Sequence, residues 1–541
     1  MSGIPERIAA AEPTGSRPLQ HLITRLAERG LLGAADVEAA AGRDADRAAA
    51  GAIEIRGISQ DSRTIRPGSL FVAVPGMHVD GHAFVERAVQ AGAAAVVVEH
   101  PSESGIPEVV VGDARRALAA AAAWWAGDPA QQLGVVGITG TDGKTTTSFL
   151  ATAALESAGI RTGLISTVAT RIGGTQELKA EHATTPEAPE LQATLQAMVS
   201  AGDQAAVIET TSHALALQRV AEIAYDAAIF TNLSHEHLDL HGTYEAYRAA
   251  KLQLFASLGD ATLAKAHPRP KVGIVNRDDK EATAFEAATR EAGATLLTYG
   301  LAPTADVRGL DVIDDPAEGG LRFRARTPDW SGEIRLALNG RFNVHNALAA
   351  LALGAGWNLD LDAVAAGLAG VTGVAGRMER VTRGQPFDVV IDYAHSPNGL
   401  TTVLDLLRPV AAARGGGVIS VFGSAGERDT EKRPLMGRIA AERSRLVIVT
   451  DEDPRGEDRQ AILEAIAAGA EAAGKRRGRD LELIADRAEA IRTAFERARP
   501  GDVVLLAGKG HERDILGPTG PEPWDERAAA EAALAEIGYS A

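Results

Sequence analysis

No cysteine occurs anywhere in the chain, which excludes disulfides, thiolate metal sites and cysteine nucleophiles. Apolar runs are short: none reaches the roughly 20 residues that a membrane-spanning helix needs, and the alanine-rich stretch 116–126 is too brief. Met1-Ser-Gly-Ile-Pro-Glu-Arg7 has no basic region ahead of a long apolar core. No secretory signal is therefore expected, and the cytoplasm is the expected compartment. Basic residues are outnumbered, with 55 Lys and Arg against 72 Asp and Glu and a formal net charge of −17. That balance argues against a general nucleic-acid binder and against a protein held to anionic lipid. Any anionic ligand must meet local clusters of cations. Most of the cations are arginine, which suits carboxylate and phosphate recognition. The chain has 541 residues and ordinary apolar content, which at roughly 100–200 residues per domain implies a globular protein of several domains.

What is present concentrates in one loop, Gly137-Ile-Thr-Gly-Thr-Asp-Gly-Lys-Thr-Thr-Thr147. An apolar run at 133–136 before it predicts a buried strand, and 148–155 after it predicts a helix. Strand, glycine-rich loop and helix start together make a phosphate cradle. Gly140 and Gly143 let backbone N–H groups approach an anion, Lys144 supplies a charge, and the Thr145 hydroxyl is placed for Mg²⁺. Thr141, Asp142 and Thr146 complete the cradle. The match to G-x-x-x-x-G-K-[ST] is imperfect, since its first glycine falls on Ile138.

Residues 1–18 are rich in Pro, Gly, Ser and Ala and are expected to form a flexible leader. A small mixed domain is expected over 19–131, with strands near 53–58, 70–74 and 95–98 and helices at 83–91 and 114–125. A central domain over 132–372 alternates strands (163–166, 205–209, 227–231, 272–276) with helices at 244–258 and 343–354. The alternation restarts in a third domain, 373–541, with strands at 389–392, 418–422, 446–450 and 503–507. Helices at 399–407, 434–442, 461–473 and 488–497 separate them, a Rossmann-like pattern without a G-x-G-x-x-G fingerprint. The expected class is α/β throughout.

Several polar groups fall at strand ends, where open α/β sheets bind ligands. Glu209 ends a strand, although a helix-capping carboxylate is the plain alternative. Thr231-Asn-Leu-Ser-His-Glu-His-Leu-Asp-Leu-His-Gly242 holds three histidines and two acids, either metal ligands or a solvated loop. Lys251 reads from its position as a surface lysine in a helix. In the third domain four loops lie at strand ends: Val390–Pro397, Phe422–Pro434, Thr450–Arg455 and Ala507–Glu512. Arg428, Lys432, Arg433, Arg455 and Lys509 are expected to give them a basic edge suited to anions.

Taken in order, these segments resemble the Mur ligases, ATP-dependent enzymes of peptidoglycan precursor synthesis. The likeness rests on Gly-Thr-Asp-Gly-Lys-Thr-Thr146, Glu209, Thr231-Asn-Leu-Ser234, His237-Leu-Asp239, Lys251, Asn343 with Asn346, Gly376-Arg-Met-Glu379 and Asp392-Tyr-Ala-His395. Asp61-Ser-Arg63, Pro67-Gly-Ser-Leu-Phe71, Thr184-Thr185, Asp-Pro-Arg455 and Gly-Lys-Gly-His-Glu512 point to the members that add the third peptide residue.

The resemblance implies a UDP-sugar domain, a central ATPase and a C-terminal amino-acid domain in one monomer. It implies that ATP phosphorylates the γ-carboxylate of UDP-N-acetylmuramoyl-L-alanyl-D-glutamate and that a diamino acid then attacks the acyl phosphate. It implies two Mg²⁺ ions held by Thr145, Glu209, His237 and a carbamylated Lys251. Asn343, Asn346, Arg377 and Asp392 match nucleotide-contacting positions. Ser62, Thr184, Thr185, Thr211 and Arg219 match positions facing the UDP-muramoyl dipeptide. Arg428, Glu452, Asp453, Arg455, Gly508 and Glu512 fall where the diamino acid would bind. Asp453 departs from the asparagine usual in diaminopimelate-adding members, and an ionised Asp only accepts hydrogen bonds. Meso-diaminopimelate is the favoured substrate on Arg455, with L-lysine or L-ornithine as alternatives on Asp453. A folylpolyglutamate synthetase, which shares the central ATPase, is the more distant alternative.

Overall fold

The structure is a computed structural model that describes residues 3–32, 53–76, 79–179, 183–234, 238–263, 265, 268–314 and 320–539. Three sheets organise it. The first is four-stranded and parallel, with Gly57–Ser59, Ser69–Val72, Ala95–Val98 and Glu108–Val110 in sequence order. Its two central strands are buried on both faces, which is why they read as unbroken apolar runs. Helices Leu19–Glu28 and Ala114–Ala126 cover one face and Val85–Gln90 the other. The strand expected at 53–58 is two pieces, because Glu54–Ile55 pairs instead with Arg17–Pro18.

The leader expected over residues 1–18 is not a loose tail where it is described. Pro5 sits in the first turn of a helix, Ile4–Ala11, whose Ile4, Ile8 and Ala11 fall on one face. That face packs into the central core, and the Ile4 N–H donates to Glu177 Oε1 at 2.9 Å. Glycine and proline at the ends of a short helix mask its amphipathic spacing in a compositional reading.

The central sheet has eleven strands. Seven consecutive ones run parallel: Thr162–Ile165, Ala205–Glu209, Gly134–Thr139, Ala227–Phe230, Val272–Asn276, Thr295–Gly300 and Val307–Asp314. Antiparallel strands extend it at both ends, Ala169–Ile172 with Thr175–Leu178 and Leu321–Arg326 with Ser331–Leu336. Alternate side chains divide between two cores. Val136, Ile138, Val207 and Ile229 meet helices Lys144–Ser157, Phe342–Gly356 and Leu361–Ala369. Val135, Ile208 and Phe230 meet Ala188–Ser200, Tyr244–Ala256 and Ala282–Glu291. Gly134–Thr139 comes first in the chain yet lies mid-sheet, with later strands added on either side. Its C-terminal end is thus the topological switch point, where open α/β sheets hold ligands.

The third sheet has six strands, parallel except for Glu379–Val381 at one edge. The parallel order is Asp388–Asp392, Val503–Ala507, Val418–Phe422, Leu446–Val449 and Leu481–Leu483. Helices Pro397–Ala413, Lys432–Arg443 and Arg459–Ala472 cover one face, and Arg487–Arg497 with Glu526–Glu536 the other. No helix among the described residues is long and apolar enough to cross a membrane.

Candidate active site

The loop after Gly134–Thr139 is held by its neighbours rather than by itself. Gly140 has φ +149°, and a Cβ there would lie 1.9 Å from Thr231 Oγ1. Gly143 caps the following helix at φ +82°, where a Cβ would stand 2.6 Å from Asn346 Oδ1. Only glycine fits either place. The helix begins at Lys144, earlier than its apolar residues suggest, because three threonines and a serine are buried with it. Thr231 Oγ1 and Asn232 Nδ2 donate to the Asp142 carbonyl at 2.7 and 3.0 Å, and Asn232 Oδ1 accepts from the Asp142 N–H. Thr141 Oγ1 bonds Tyr247 OH, and Lys144 Nζ donates to the Thr141 carbonyl at 2.6 Å. Asn346 accepts from Thr147 Oγ1 and donates to Asn343 Oδ1, so Phe342–Gly356 is pinned to the loop.

Beside the loop, Thr145 Oγ1 donates to both oxygens of Glu209, at 3.1 and 3.0 Å. Glu209 is only 1% exposed, and Oε2 also accepts from the Thr167 N–H at 3.0 Å. It has no cationic partner among the described residues. The Glu209 carbonyl accepts from Thr185 Oγ1, which meets Thr211 Oγ1, while Thr167 Oγ1 donates to Thr184 Oγ1. Arg219 donates to the Thr185 carbonyl and pairs with Glu187. Thr167 was not among the expected site residues. Its signal was position: it lies just past the end of Thr162–Ile165, beside the Glu209 strand.

Lys251 is not the surface residue its helix position suggests. It is 1% exposed, Nζ donates to the Gly140 carbonyl at 2.7 Å, and the ammonium stands 4.5 Å from the Tyr247 ring centre. His237 lies outside the described residues.

The third sheet aims its loop-bearing edge at the same place. Arg377 Nη2 donates to Thr145 Oγ1 at 3.3 Å across the domain boundary, and its guanidinium lies over Tyr393 at 4.7 Å. Asp392 accepts from the N–H groups of Met378 and Ala394. Burial nevertheless holds its carboxyl above the ordinary range, against Arg377 and those donors. Lys509 Nζ donates to Asp453 Oδ1 at 2.7 Å and to Glu512 Oε2 at 2.5 Å, with no exposure at all. Arg455 carries φ +56°, a conformation costing on the order of 1 kcal/mol, and its N–H donates to the Leu516 carbonyl. Its guanidinium has no ionic partner among the described residues. Glu452 is 6% exposed with Oε2 unpartnered.

The expected basic edge is thereby reduced. Arg433 is buried against Glu457, Lys509 is neutralised by two acids, and Lys432 donates to the His395 carbonyl. Of the five, Arg428, Lys432 and Arg455 line the cleft without an ionic partner among the described residues. Spacing cannot reveal which acid a strand-end cation will meet.

One cleft of about 2150 Å³ joins the two edges. Lys144, Thr145, Glu209, Thr184, Thr185, Thr211, Arg219, Asn343 and Asn346 line its central-domain wall. Arg377, Asp392, Arg428, Glu452, Asp453, Arg455 and Glu512 line the facing wall. Lys251 lies beneath the loop, behind Gly140, and Gly508 lies behind Glu452. Ser62, buried in a turn of the N-terminal domain, does not line it.

A phosphate loop at a switch point, faced across a cleft by a second α/β domain bearing paired acids and cations, defines a nucleotide-dependent ligase. Residues 54–124 match the Mur ligase family catalytic domain, 138–354 the Mur ligase middle domain, and 376–510 the Mur ligase glutamate ligase domain. The chain belongs to the Mur ligase family, ATP-dependent ligases of peptidoglycan synthesis. It is 51% identical over 492 residues to the UDP-N-acetylmuramyl-tripeptide synthetase of Roseiflexus sp. (strain RS-1), covering 90% of this chain and 96% of the relative. It is 42% identical over 487 residues to the UDP-N-acetylmuramoyl-L-alanyl-D-glutamate--2,6-diaminopimelate ligase of Geobacillus kaustophilus (strain HTA426), covering 90% and 96%. A solved structure of a diaminopimelate ligase of that name superposes with TM-score 0.60 at 30% identity, covering 90% of this chain and 96% of the other. The MurF ligase of Thermotoga maritima, solved with ADP, shares the fold at TM-score 0.56 and 21% identity, covering 89% and 96%.

Proposed function

We propose that this enzyme joins meso-diaminopimelate to the D-glutamate γ-carboxylate of UDP-N-acetylmuramoyl-L-alanyl-D-glutamate. The observation that carries the reading is the single cleft, with Lys144, Thr145 and Glu209 on one wall and Arg455 and Glu452 on the other. A carboxylate is a poor electrophile and repels a nucleotide triphosphate, so both anions need cations around them. In the first step a γ-carboxylate oxygen bonds the γ-phosphorus of ATP, the β–γ bridging bond breaks, and ADP leaves. In the second the free amine bonds the acyl carbon, loses its proton, and phosphate leaves. Lys144 and Arg377 supply positive charge at the transferring phosphoryl group. Asn343, Asn346 and Asp392 belong to the nucleotide's surroundings, and Thr184, Thr185, Thr211 and Arg219 to those of the muramoyl dipeptide.

The residues at Glu209 fit Mg²⁺. A buried carboxylate with no cationic partner among the described residues, facing a hydroxyl, is a hard-oxygen donor set whose charge calls for neutralisation. When bound, the ion would spread the charge of the transferring phosphoryl group. His237 and a carbamate on Lys251 would serve a second ion. Carbamylation leaves one N–H on Nζ, enough to keep the bond to the Gly140 carbonyl. Lys251→Ala is expected to depress turnover without rescue by bicarbonate, and full activity would refute the carbamate.

Arg455 supports diaminopimelate over its rivals, because its open guanidinium suits a distal carboxylate and the unpartnered Glu452 oxygen on the same wall a distal ammonium. L-lysine or L-ornithine is the second reading, favoured by the three acids Glu452, Asp453 and Glu512 on that wall. Phosphate release with the UDP-muramoyl dipeptide and each diamino acid decides between them. Turnover with lysine or ornithine exceeding that with diaminopimelate would overturn the assignment.

A further inference from the structure

Lys509 is fully buried, and the reaction just described gives it nothing to do. An ammonium wholly removed from water is costly unless it is paired closely. Here it bridges the two loops of the amino-acid wall, reaching Asp453 Oδ1 at 2.7 Å and Glu512 Oε2 at 2.5 Å. Burial alone would pull the ammonium down, but Glu512 and Asp453 outweigh it and hold it above the ordinary lysine range. Asp453 Oδ1 accepts a second bond from the Leu516 N–H at 3.0 Å, so that oxygen is saturated from behind. Glu512 is likewise engaged, its Oε1 accepting from Tyr393 OH. Arg455, two residues beyond Asp453, has no such partner among the described residues.

We infer that Lys509 sets the side-chain selectivity of the amino-acid wall by cancelling Asp453, leaving Arg455 to face the cleft as an uncompensated cation. The inference rests on the proposed function, since it needs a diamino acid to bind there. The distal end of diaminopimelate carries a carboxylate and an ammonium and is neutral overall. The distal end of lysine carries an ammonium alone. A wall made one unit more negative favours the second over the first, and a wall made one unit more positive does the reverse. Lys509 is therefore a positioning residue whose removal changes preference and not only rate.

The test is the ratio of kcat/KM for meso-diaminopimelate to that for L-lysine, read by phosphate release with the full-length enzyme. Lys509→Met is expected to lower the ratio by about tenfold or more, and adding Asp453→Asn to it should return the ratio toward the parent. Asp453→Asn alone, which leaves Lys509 in place, should shift the ratio the opposite way. An unchanged ratio in a Lys509→Met protein that still melts cooperatively overturns the inference. So does a ratio that falls but does not recover in the double variant. Should Lys509→Met fail to fold, the sign of the Asp453→Asn shift decides alone, and a fall or no change counts against it. A parent that prefers lysine refutes the diaminopimelate reading while the direction of these shifts still tests Lys509. A parent that uses neither amino acid refutes both.

Discussion

The two walls of the cleft manage charge in opposite ways. On the central wall a lone buried carboxylate, Glu209, is held by a hydroxyl and an N–H, and the nearby Lys144 ammonium donates to a backbone carbonyl. Neither charge has been neutralised by a partner in the described residues. On the C-terminal wall Asp453 and Glu512 share Lys509, while the Arg428 and Arg455 guanidinium groups and one oxygen of Glu452 keep no partner among the described residues. The first wall is unfinished without a polyanion and a cation. The second is close to balanced and suits a zwitterion. That contrast is the one the proposed function needs, with transfer of charge on one wall and recognition of the amino acid on the other.

The sharpest way to break that contrast is to remove Lys144. Lys144→Ala should lower kcat by roughly two to three orders of magnitude, the scale of losing a preorganised charge at a transition state, with little change in the KM for the diamino acid. A loss expressed in the amino-acid KM instead would contradict the division of labour. Arg455→Ala should do the converse, raising the diamino-acid KM by about ten- to a hundredfold, the worth of a charge-assisted bidentate contact, while the ATP KM holds. Equal effects on both substrates would contradict its place on the recognition wall.

How far the two walls were legible in the sequence follows the same line. The central wall was readable because its parts are close in the chain: a strand, two indispensable glycines and Lys144-Thr145 lie within a dozen residues. Glu209 was readable from its place at a strand end. The C-terminal loops were likewise placed by strand ends, but their pairings were not. Asp453 and Lys509 are 56 residues apart, and nothing in either motif says that one neutralises the other. The buried state of Lys251 escaped for a related reason, since its partner is a backbone carbonyl 111 residues away. The antiparallel strands flanking the central sheet were missed because alternating patterns such as Leu-Arg-Phe-Arg-Ala-Arg326 bury only every second residue. Apolar runs, which mark a parallel strand, are absent there.

The last effect, on stability and not on turnover, concerns how the two walls are held together. Besides Arg377, His511 bridges them: it is half-buried beside the Thr167 backbone, and the Thr167 N–H in turn donates to Glu209. Burial, with Arg377 beside it, pushes the imidazole down to about 4 from the ordinary 6.5, against the pull of Glu512 and the bond to Thr167. The neutral ring is therefore the form that fits. An undocked or unfolded chain exposes His511 and binds the proton at its ordinary value, so protonation favours separation. The contribution is intact above pH 6.5, is lost progressively as pH falls toward 4, and stays lost below. Its ceiling is about 3 kcal/mol for a shift of this size. Melting temperature followed from pH 7.5 to 4.5 should fall more steeply in the parent than in His511→Asn, which carries no titrating ring between the walls. Parallel slopes for the two proteins would show that this contact does not couple proton binding to closure of the cleft, and would leave Arg377 to Thr145 as the bond that joins recognition to transfer.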